Sequence, residues 1–149
     1  MTTNQFDGLI IVHPNFGIPI NPNYKANLGR ITQEFFKRNK AVFLEESEAK
    51  PMTCKKMKKD LAKAFHLRRY LHPDSLVSLE MEISYIEKTI GKPRENIILA
   101  FGGTNAGMCV YACAIDLCRY VETKYINPIR ETIYNISKIK KGVVLDEIV

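Results

Sequence analysis

The segment formed by residues 97–120 constrains the fold of this 149-residue chain more than any other. Residues 97–101 are a continuous apolar run typical of a buried strand, and the pair Gly102-Gly103 ends it. After a short polar loop, an apolar helical stretch opens with Cys109. A strand, a glycine turn and a helix in this order predict a helix N-terminus whose free N–H groups stabilise a thiolate or bind an anion.

Apolar runs alternate with amphipathic helical stretches along the rest of the chain. Such alternation favours an α/β fold in which helices cover both faces of a mainly parallel sheet. The expected strands are residues 8–12, 41–44 and 97–101, and residues 142–145 are expected to form a short final strand or a tail. The expected helices are residues 23–40, 53–70, 74–90, 109–124 and 127–139, with Gly91 ending the third. We therefore predict a single three-layer, Rossmann-like α/β/α domain over residues 1–149.

The carboxyl ends of the predicted strands hold the residues best suited to chemistry. In open parallel sheets, ligands bind beyond the carboxyl ends of the strands. This rule predicts that three segments lie along one edge of the sheet: residues 13–16, 45–47 and 102–109. His13 and Cys109 are the candidate base and nucleophile within these segments.

Composition indicates a globular protein in the cytoplasm. Hydrophobic residues make up 46% of the chain and charged residues 26%, which is typical of a folded domain. No apolar run approaches the roughly 18 residues that a membrane span needs, and the N-terminus lacks a signal-peptide pattern. Three of the four cysteines fall on one predicted helix, an arrangement unlike a disulfide framework: Cys54, Cys109, Cys113 and Cys118.

The net charge of +6 is concentrated in residues 50–69, which contain eight lysines and arginines. One interpretation is a patch for nucleic acid or for an anionic substrate. The favoured alternative is the solvated face of a helix, because exposed aromatic residues do not interleave with the basic ones. The apolar side of that helix would be formed by Met57, Leu61, Ala64 and Phe65.

The spacing around Cys109 resembles that of a known enzyme family. Gly103 stands six residues before Cys109-Val110, and Cys113-Ala114 and Asp116 follow at fixed intervals. This pattern is similar to that of the isochorismatase-like cysteine hydrolases, which include nicotinamidases. The resemblance implies an isochorismatase-like α/β fold, a cysteine nucleophile, hydrolysis of an amide or related C–N bond in a small molecule, and a homo-oligomer.

The family combines its cysteine with an aspartate at the end of the first strand and a lysine in mid-chain. His13 stands where the aspartate is expected, and Arg68 or Arg69 lies near the lysine position. We therefore expect Cys109 to attack the carbonyl, His13 to accept and return the proton, and Arg68 to hold an anionic group. The oxyanion or anion site is expected at Gly103, Thr104, Asn105 and Met108.

Two other functions remain open from the sequence. One is a non-catalytic relative that binds a small anion or a partner, favoured by the substituted aspartate and lysine. The other is a nucleic-acid-associated protein that uses residues 50–69. Shared metal binding by Cys109, Cys113 and His13 is a weak signal, so neither a metal nor another cofactor is expected. Asp116 is expected to be a buried packing or capping carboxylate.

Overall fold

The structure is a computed structural model of the chain. It describes residues 4–12, 24–45, 59, 61–67, 75–103, 111–118, 122–127, 132–135 and 146–147. No helix in these ranges is long and apolar enough to cross a membrane. The expected α/β character is confirmed by a sheet that combines with amphipathic helices.

Among the described residues, seven strands form one sheet: β1 Gly8–Val12, β2 Ala41–Glu45, β3 Phe65–Leu67, β4 Ile98–Gly103, β5 Glu122–Asn127, β6 Thr132–Asn135 and β7 Asp146–Glu147. Their order across the sheet is β3-β2-β1-β4-β5-β6-β7. The first five strands in this order are parallel to one another, and β6 and β7 add as antiparallel strands at one side.

The described helices are α1 Tyr24–Lys37, α2 Ser75–Ile90 and α3 Tyr111–Cys118. Apolar side chains alternate between the two faces of each central strand, because successive residues of a strand point to opposite sides. In β1, Leu9 and Ile11 pack with side chains of α1, whereas Ile10 and Val12 pack with side chains of α2 and α3. The central strands are therefore buried on both faces, as expected for parallel sheets.

Two helices end where residues in the left-handed conformation stop them. Gly91 has φ 79°, and its N–H donates to the carbonyl of Glu87 at 2.8 Å, which confirms the predicted end of α2. Asn39 has φ 54° and follows α1 in the same way. The N–H of Lys40 donates to the carbonyl of Phe35 at 2.9 Å, which satisfies a carbonyl at the helix end.

The structure corrects three of the predicted helices. The prediction of a helix over residues 53–70 is wrong for its last part, because Phe65–Leu67 is the strand β3, which pairs with β2. The helix that opens with Cys109 was predicted to reach Lys124, but α3 ends at Cys118 and Glu122–Asn127 is β5. The predicted helix over residues 127–139 contains β6 instead.

The physical cause is pairing across the sheet. In short segments, the periodicity of apolar residues distinguishes a strand from a helix poorly. Pairing with the edge of an adjacent strand then determines which of the two the segment forms. β6 is Thr-Ile-Tyr-Asn, in which β-branched and aromatic residues suit a pleated sheet better than a helix. The strand β3 therefore interrupts the single helix that the sequence predicts over residues 53–70, and the basic residues outside 59 and 61–67 lie outside the described residues.

Candidate site at the carboxyl edge of the sheet

The carboxyl ends of four parallel strands lie side by side. Glu45 pairs with Leu67 of β3 on one side and with Val12 of β1 on the other, and Val12 pairs with Gly103 of β4. The row therefore reads Leu67, Glu45, Val12, Gly103 across neighbouring strands. The predicted edge is confirmed for the three of its members that the structure describes, Glu45, Gly102 and Gly103.

Gly103 closes β4 in a conformation that only glycine adopts easily. Its φ is 121°, and a Cβ built on it would lie 2.7 Å from the backbone nitrogen of Val12 and also too close to the Val12 carbonyl oxygen. Both observations exclude a side chain at this position. Gly103 therefore lets the backbones of β1 and β4 approach closely at the edge where their two chain segments leave the sheet.

Three buried side chains of metal-ligating type meet near this edge. Glu45 is the last residue of β2, Glu82 lies in the middle of α2, and Cys113 lies in the first half of α3. They are 3%, 6% and 7% exposed, respectively. One ligand atom from each lies within 4.8 Å of the others. We refer to Glu45, Glu82 and Cys113 as the buried triad.

One contact in the buried triad joins a thiol to a carboxylate. Cys113 Sγ donates to Glu45 Oε2 at 2.7 Å. A cysteine coordinates a metal ion as the thiolate, and a glutamate coordinates it as the carboxylate. The contact therefore brings the sulfur and one carboxylate oxygen close enough to coordinate the same cation.

The triad is inserted into an otherwise apolar cluster. Glu82 precedes Ile83 and lies one turn before Ile86, both fully buried, and Cys113 packs with Ala114 and Leu117. Buried carboxylates are costly unless they are paired or bound to a cation. Two of them beside one thiol are consequently a stronger sign of function than any one of them alone.

The sequence-predicted site residues fall into two groups. Gly103 is described and lies at the predicted edge. The others lie outside the described residues: His13, Arg68, Arg69, Thr104, Asn105, Met108 and Cys109. Asp116 was expected to be buried, but it is exposed, because α3 directs Cys113, Ala114 and Leu117 toward the core.

Sequence reasoning missed the buried triad as a unit. From the sequence, Glu45 is expected only as part of the carboxyl edge, and Cys113 is considered for its spacing from Cys109 and as a weak shared metal ligand with Cys109 and His13. Glu82 carried a usable signal, since it interrupts an apolar helical stripe formed by Leu79, Ile83 and Ile86. Only the folded chain brings this helix to the end of β2.

A concave region lies at the opposite edge of the sheet. It is a cavity of about 510 Å³ near the beginnings of β1, β2 and β3 and the ends of α1 and α2. Its charged lining residues are Asp7, Lys40, Lys63 and Lys92. Helix C-termini carry partial negative charge, so lysines there are stabilising without any ligand. The carboxyl edge is therefore the better candidate site.

Comparison of the chain with protein-family models gives no match, and comparisons with curated proteins and with solved structures give none either. The class that the fold and the site define is therefore a structural one. The chain is an α/β protein with a largely parallel sheet and a buried Glu-Glu-Cys triad at the carboxyl edge of that sheet.

Proposed function

We propose that this chain is a divergent cysteine hydrolase with a three-layer, isochorismatase-like α/β/α fold, acting on an amide or related C–N bond of a small molecule. One observation carries the proposal. The strands β1 and β4 end side by side at Val12 and Gly103, and β3 ends at the same edge of the sheet, at Leu67, with β2 between it and β1. The next residues in the chain are His13, Arg68 and the segment that leads from Thr104 to Cys109.

The strand order also supports the proposal. Helical side chains pack on both faces of the sheet, and β1 and β4 are adjacent parallel strands. In such sheets the neighbouring carboxyl ends form a crevice that receives ligands. Gly103 ends β4 with its backbone closely packed against Val12.

The proposed reaction proceeds through a thioester. The Cys109 thiolate attacks the carbonyl carbon, and His13, holding the thiol proton, donates it to the nitrogen as the C–N bond breaks. His13 then takes a proton from the water that attacks the thioester. The C–S bond breaks, His13 returns this proton to the Cys109 sulfur, and the carboxylic acid leaves. Backbone N–H groups near Met108 and Cys109 hold the oxyanion, with about 3 kcal/mol expected per good donor.

Arg68 has a different role in this proposal. It binds an anionic group of the substrate, a task that suits a guanidinium because it is always charged and presents several donors. No metal or cofactor takes part in the proposed reaction. A homo-oligomer is also proposed, and light scattering at micromolar concentration would contradict it with a mass near the 17.1 kDa of one chain.

The experiment combines thiol alkylation with an amide-hydrolysis screen. The rate of Cys109 alkylation by iodoacetamide is followed by mass spectrometry from pH 5 to pH 9, and ammonia release is measured over a panel of small primary amides. Cys109→Ala should abolish hydrolysis, and Cys118→Ala is the matched control on the same stretch of chain. His13→Ala should lower the rate by about 10²- to 10⁴-fold and slow Cys109 alkylation near neutral pH.

Two outcomes would contradict the proposal. Hydrolysis that survives Cys109→Ala would remove the nucleophile. Unchanged rates of hydrolysis and alkylation in His13→Ala would remove the Cys–His pair. With no hydrolysis of any amide and slow alkylation of Cys109, a non-catalytic binding protein would replace the enzyme as the best interpretation.

A further inference from the structure

The buried triad has the properties of a metal site that the proposed hydrolase does not require. Its members come from β2, α2 and α3, and 68 residues separate Glu45 from Cys113 in the chain. Side chains so distant in sequence converge only because the tertiary fold brings them together. Their ligand atoms nevertheless lie within 4.8 Å of one another, inside the apolar cluster between the sheet and the two helices.

Electrostatics favours a cation at this point. Two carboxylates a few ångströms apart repel each other strongly in a buried setting, where the effective dielectric constant is low. Each of the three residues also has further interactions in the structure. A divalent ion bound among the three ligand atoms would attract both carboxylates and the thiolate at once, which a single shared proton does not achieve.

The ligand types select the metal. A thiolate is a soft ligand that Mg²⁺ and Ca²⁺ avoid, whereas Zn²⁺ accepts thiolate and carboxylate together. We propose that Glu45, Glu82 and Cys113 bind a zinc ion. The fourth position of the tetrahedral site is then open to water or to another ligand.

The spacing is compatible with zinc. Zn–S and Zn–O bonds of about 2.3 and 2.0 Å in a tetrahedron place sulfur and oxygen roughly 3.5 Å apart. The observed Cys113 Sγ to Glu45 Oε2 distance is 2.7 Å, and 4.8 Å bounds every separation in the triad. Entry of the ion therefore requires loss of the thiol proton and side-chain shifts on the order of 1 Å, within reach of rotation about the glutamate side-chain bonds.

The test uses the untagged 149-residue chain, stripped of metal with a chelator under reducing conditions. Zinc is titrated in competition with a chromophoric chelator, and cobalt(II) is then substituted as a spectroscopic probe. One equivalent of zinc per chain is expected, with a dissociation constant below micromolar. The cobalt form should show a thiolate-to-metal charge-transfer band in the near ultraviolet.

Variants separate the triad from the other cysteines. Cys113→Ser should weaken zinc binding by at least about 100-fold and remove the charge-transfer band. Loss of a residue that coordinates the metal lowers the affinity more than loss of a residue that only contacts such a ligand. Glu82→Gln should weaken binding by at least about 10-fold while keeping the band. Cys118→Ser is the matched control and should change neither property.

The proposal would be overturned by a chain that binds less than half an equivalent of zinc, or by a cobalt form without the thiolate band. It would also fail if Cys109→Ala, rather than a triad variant, removed the band. Should Cys113→Ser not fold, Glu82→Gln and the zinc-dependent rise in the melting temperature of the wild-type chain still decide the matter. The site is independent of the proposed hydrolase, because Cys109→Ala should abolish hydrolysis and leave zinc binding intact.

Discussion

Gly103 lies directly against the backbone of Val12, its partner in the parallel pairing of β4 with β1. Its φ of 121° and the lack of room for a Cβ are two separate reasons for glycine at this position. The contact also sets how closely the two strand ends approach at the candidate site. Substitution of Gly103 is therefore a direct test of this edge of the sheet.

Gly103→Ala should lower the free energy of unfolding by roughly 3 kcal/mol or more, or prevent folding, because the new methyl group meets the Val12 backbone. Gly91→Ala is the matched control: its φ is 79°, but a methyl group there would meet no atom within 4 Å. That variant should lose only about 1 kcal/mol. Urea denaturation measures both, and equal losses would contradict the close approach of Gly103 to Val12.

Asp7, just before β1, is hydrogen-bonded to Ile98, the first residue of β4. Its Oδ2 accepts the N–H of Ile98 at 2.8 Å, its backbone N–H donates to the Ile98 carbonyl at 2.8 Å, and Lys92 Nζ donates to its Oδ1 at 2.7 Å. Asp7→Ala should cost about 2 kcal/mol, because the Ile98 N–H loses its acceptor. Asp7→Asn should retain much of that stability.

Lys92→Ala is the control for the charge of Asp7. The Lys92 ammonium is largely exposed, so its removal should cost below about 1 kcal/mol. Denaturation of Asp7→Ala, Asp7→Asn and Lys92→Ala under one set of conditions gives the comparison. A loss for Lys92→Ala as large as that for Asp7→Ala would assign the stabilisation to the ion pair instead of to the Ile98 hydrogen bond.

The pair formed by Glu80 and Arg94 should make stability depend on acid pH. The hydrogen bond from the Arg94 guanidinium lowers the pKa of the Glu80 carboxyl, with a smaller contribution from the Arg94 charge. The same bond raises the pKa of Arg94, which stays charged throughout. A carboxyl with a lowered pKa in the folded state stabilises above its ordinary pKa, and that stability is lost as pH falls through the lowered value.

Arg94→Gln should return the Glu80 pKa to its ordinary range and flatten the stability profile below about pH 5. The Glu80 side chain is 49% exposed, so water and salt screen the pair and the effect should stay below about 1 kcal/mol. NMR titration of the Glu80 carboxyl measures the shift. Lys37→Gln, which removes the exposed pair with Glu34, is the control and should leave the Glu80 titration unchanged.

Cys113 should be protected from alkylation in the folded chain. It is buried, and its thiol donates to the Glu45 carboxylate. Iodoacetamide should therefore label Cys109 first and Cys113 last under native conditions, whereas urea should remove most of the difference. Mass spectrometry of peptides after timed labelling gives both rates. Native labelling of Cys113 at the rate of Cys109 would contradict the burial of the triad.

The sequence predicted the central part of the sheet because those strands are locally unambiguous. Each of these strands contains an apolar run flanked by polar or helix-breaking residues: Gly8–Val12, Ala41–Glu45 and Ile98–Gly103. Gly91 likewise marks the end of α2 by its own conformational freedom. Because the carboxyl ends of parallel strands lie at one edge of a sheet, the sequence alone also predicted that Glu45 and Gly103 lie at the same edge.

Segments with weaker local signals were settled by contact with distant parts of the chain. Phe65–Leu67 carries helical periodicity with its neighbours, but the open edge of β2 offers backbone partners that convert it to a strand. Thr132–Asn135 similarly pairs with β5. Hydrogen bonds between strands join residues that are distant in the chain. The residues next to a segment therefore do not by themselves determine whether that segment forms a strand or a helix.

Local sequence thus determined the α/β class, the three apolar strands at the centre and the glycine at the end of β4, because each depends on the conformational preferences of adjacent residues. Only the tertiary structure decided that Glu45, Glu82 and Cys113 meet. Their convergence depends on the packing of α2 and α3 on the face of the sheet to which the side chain of Glu45 points. No spacing along the chain encodes that packing.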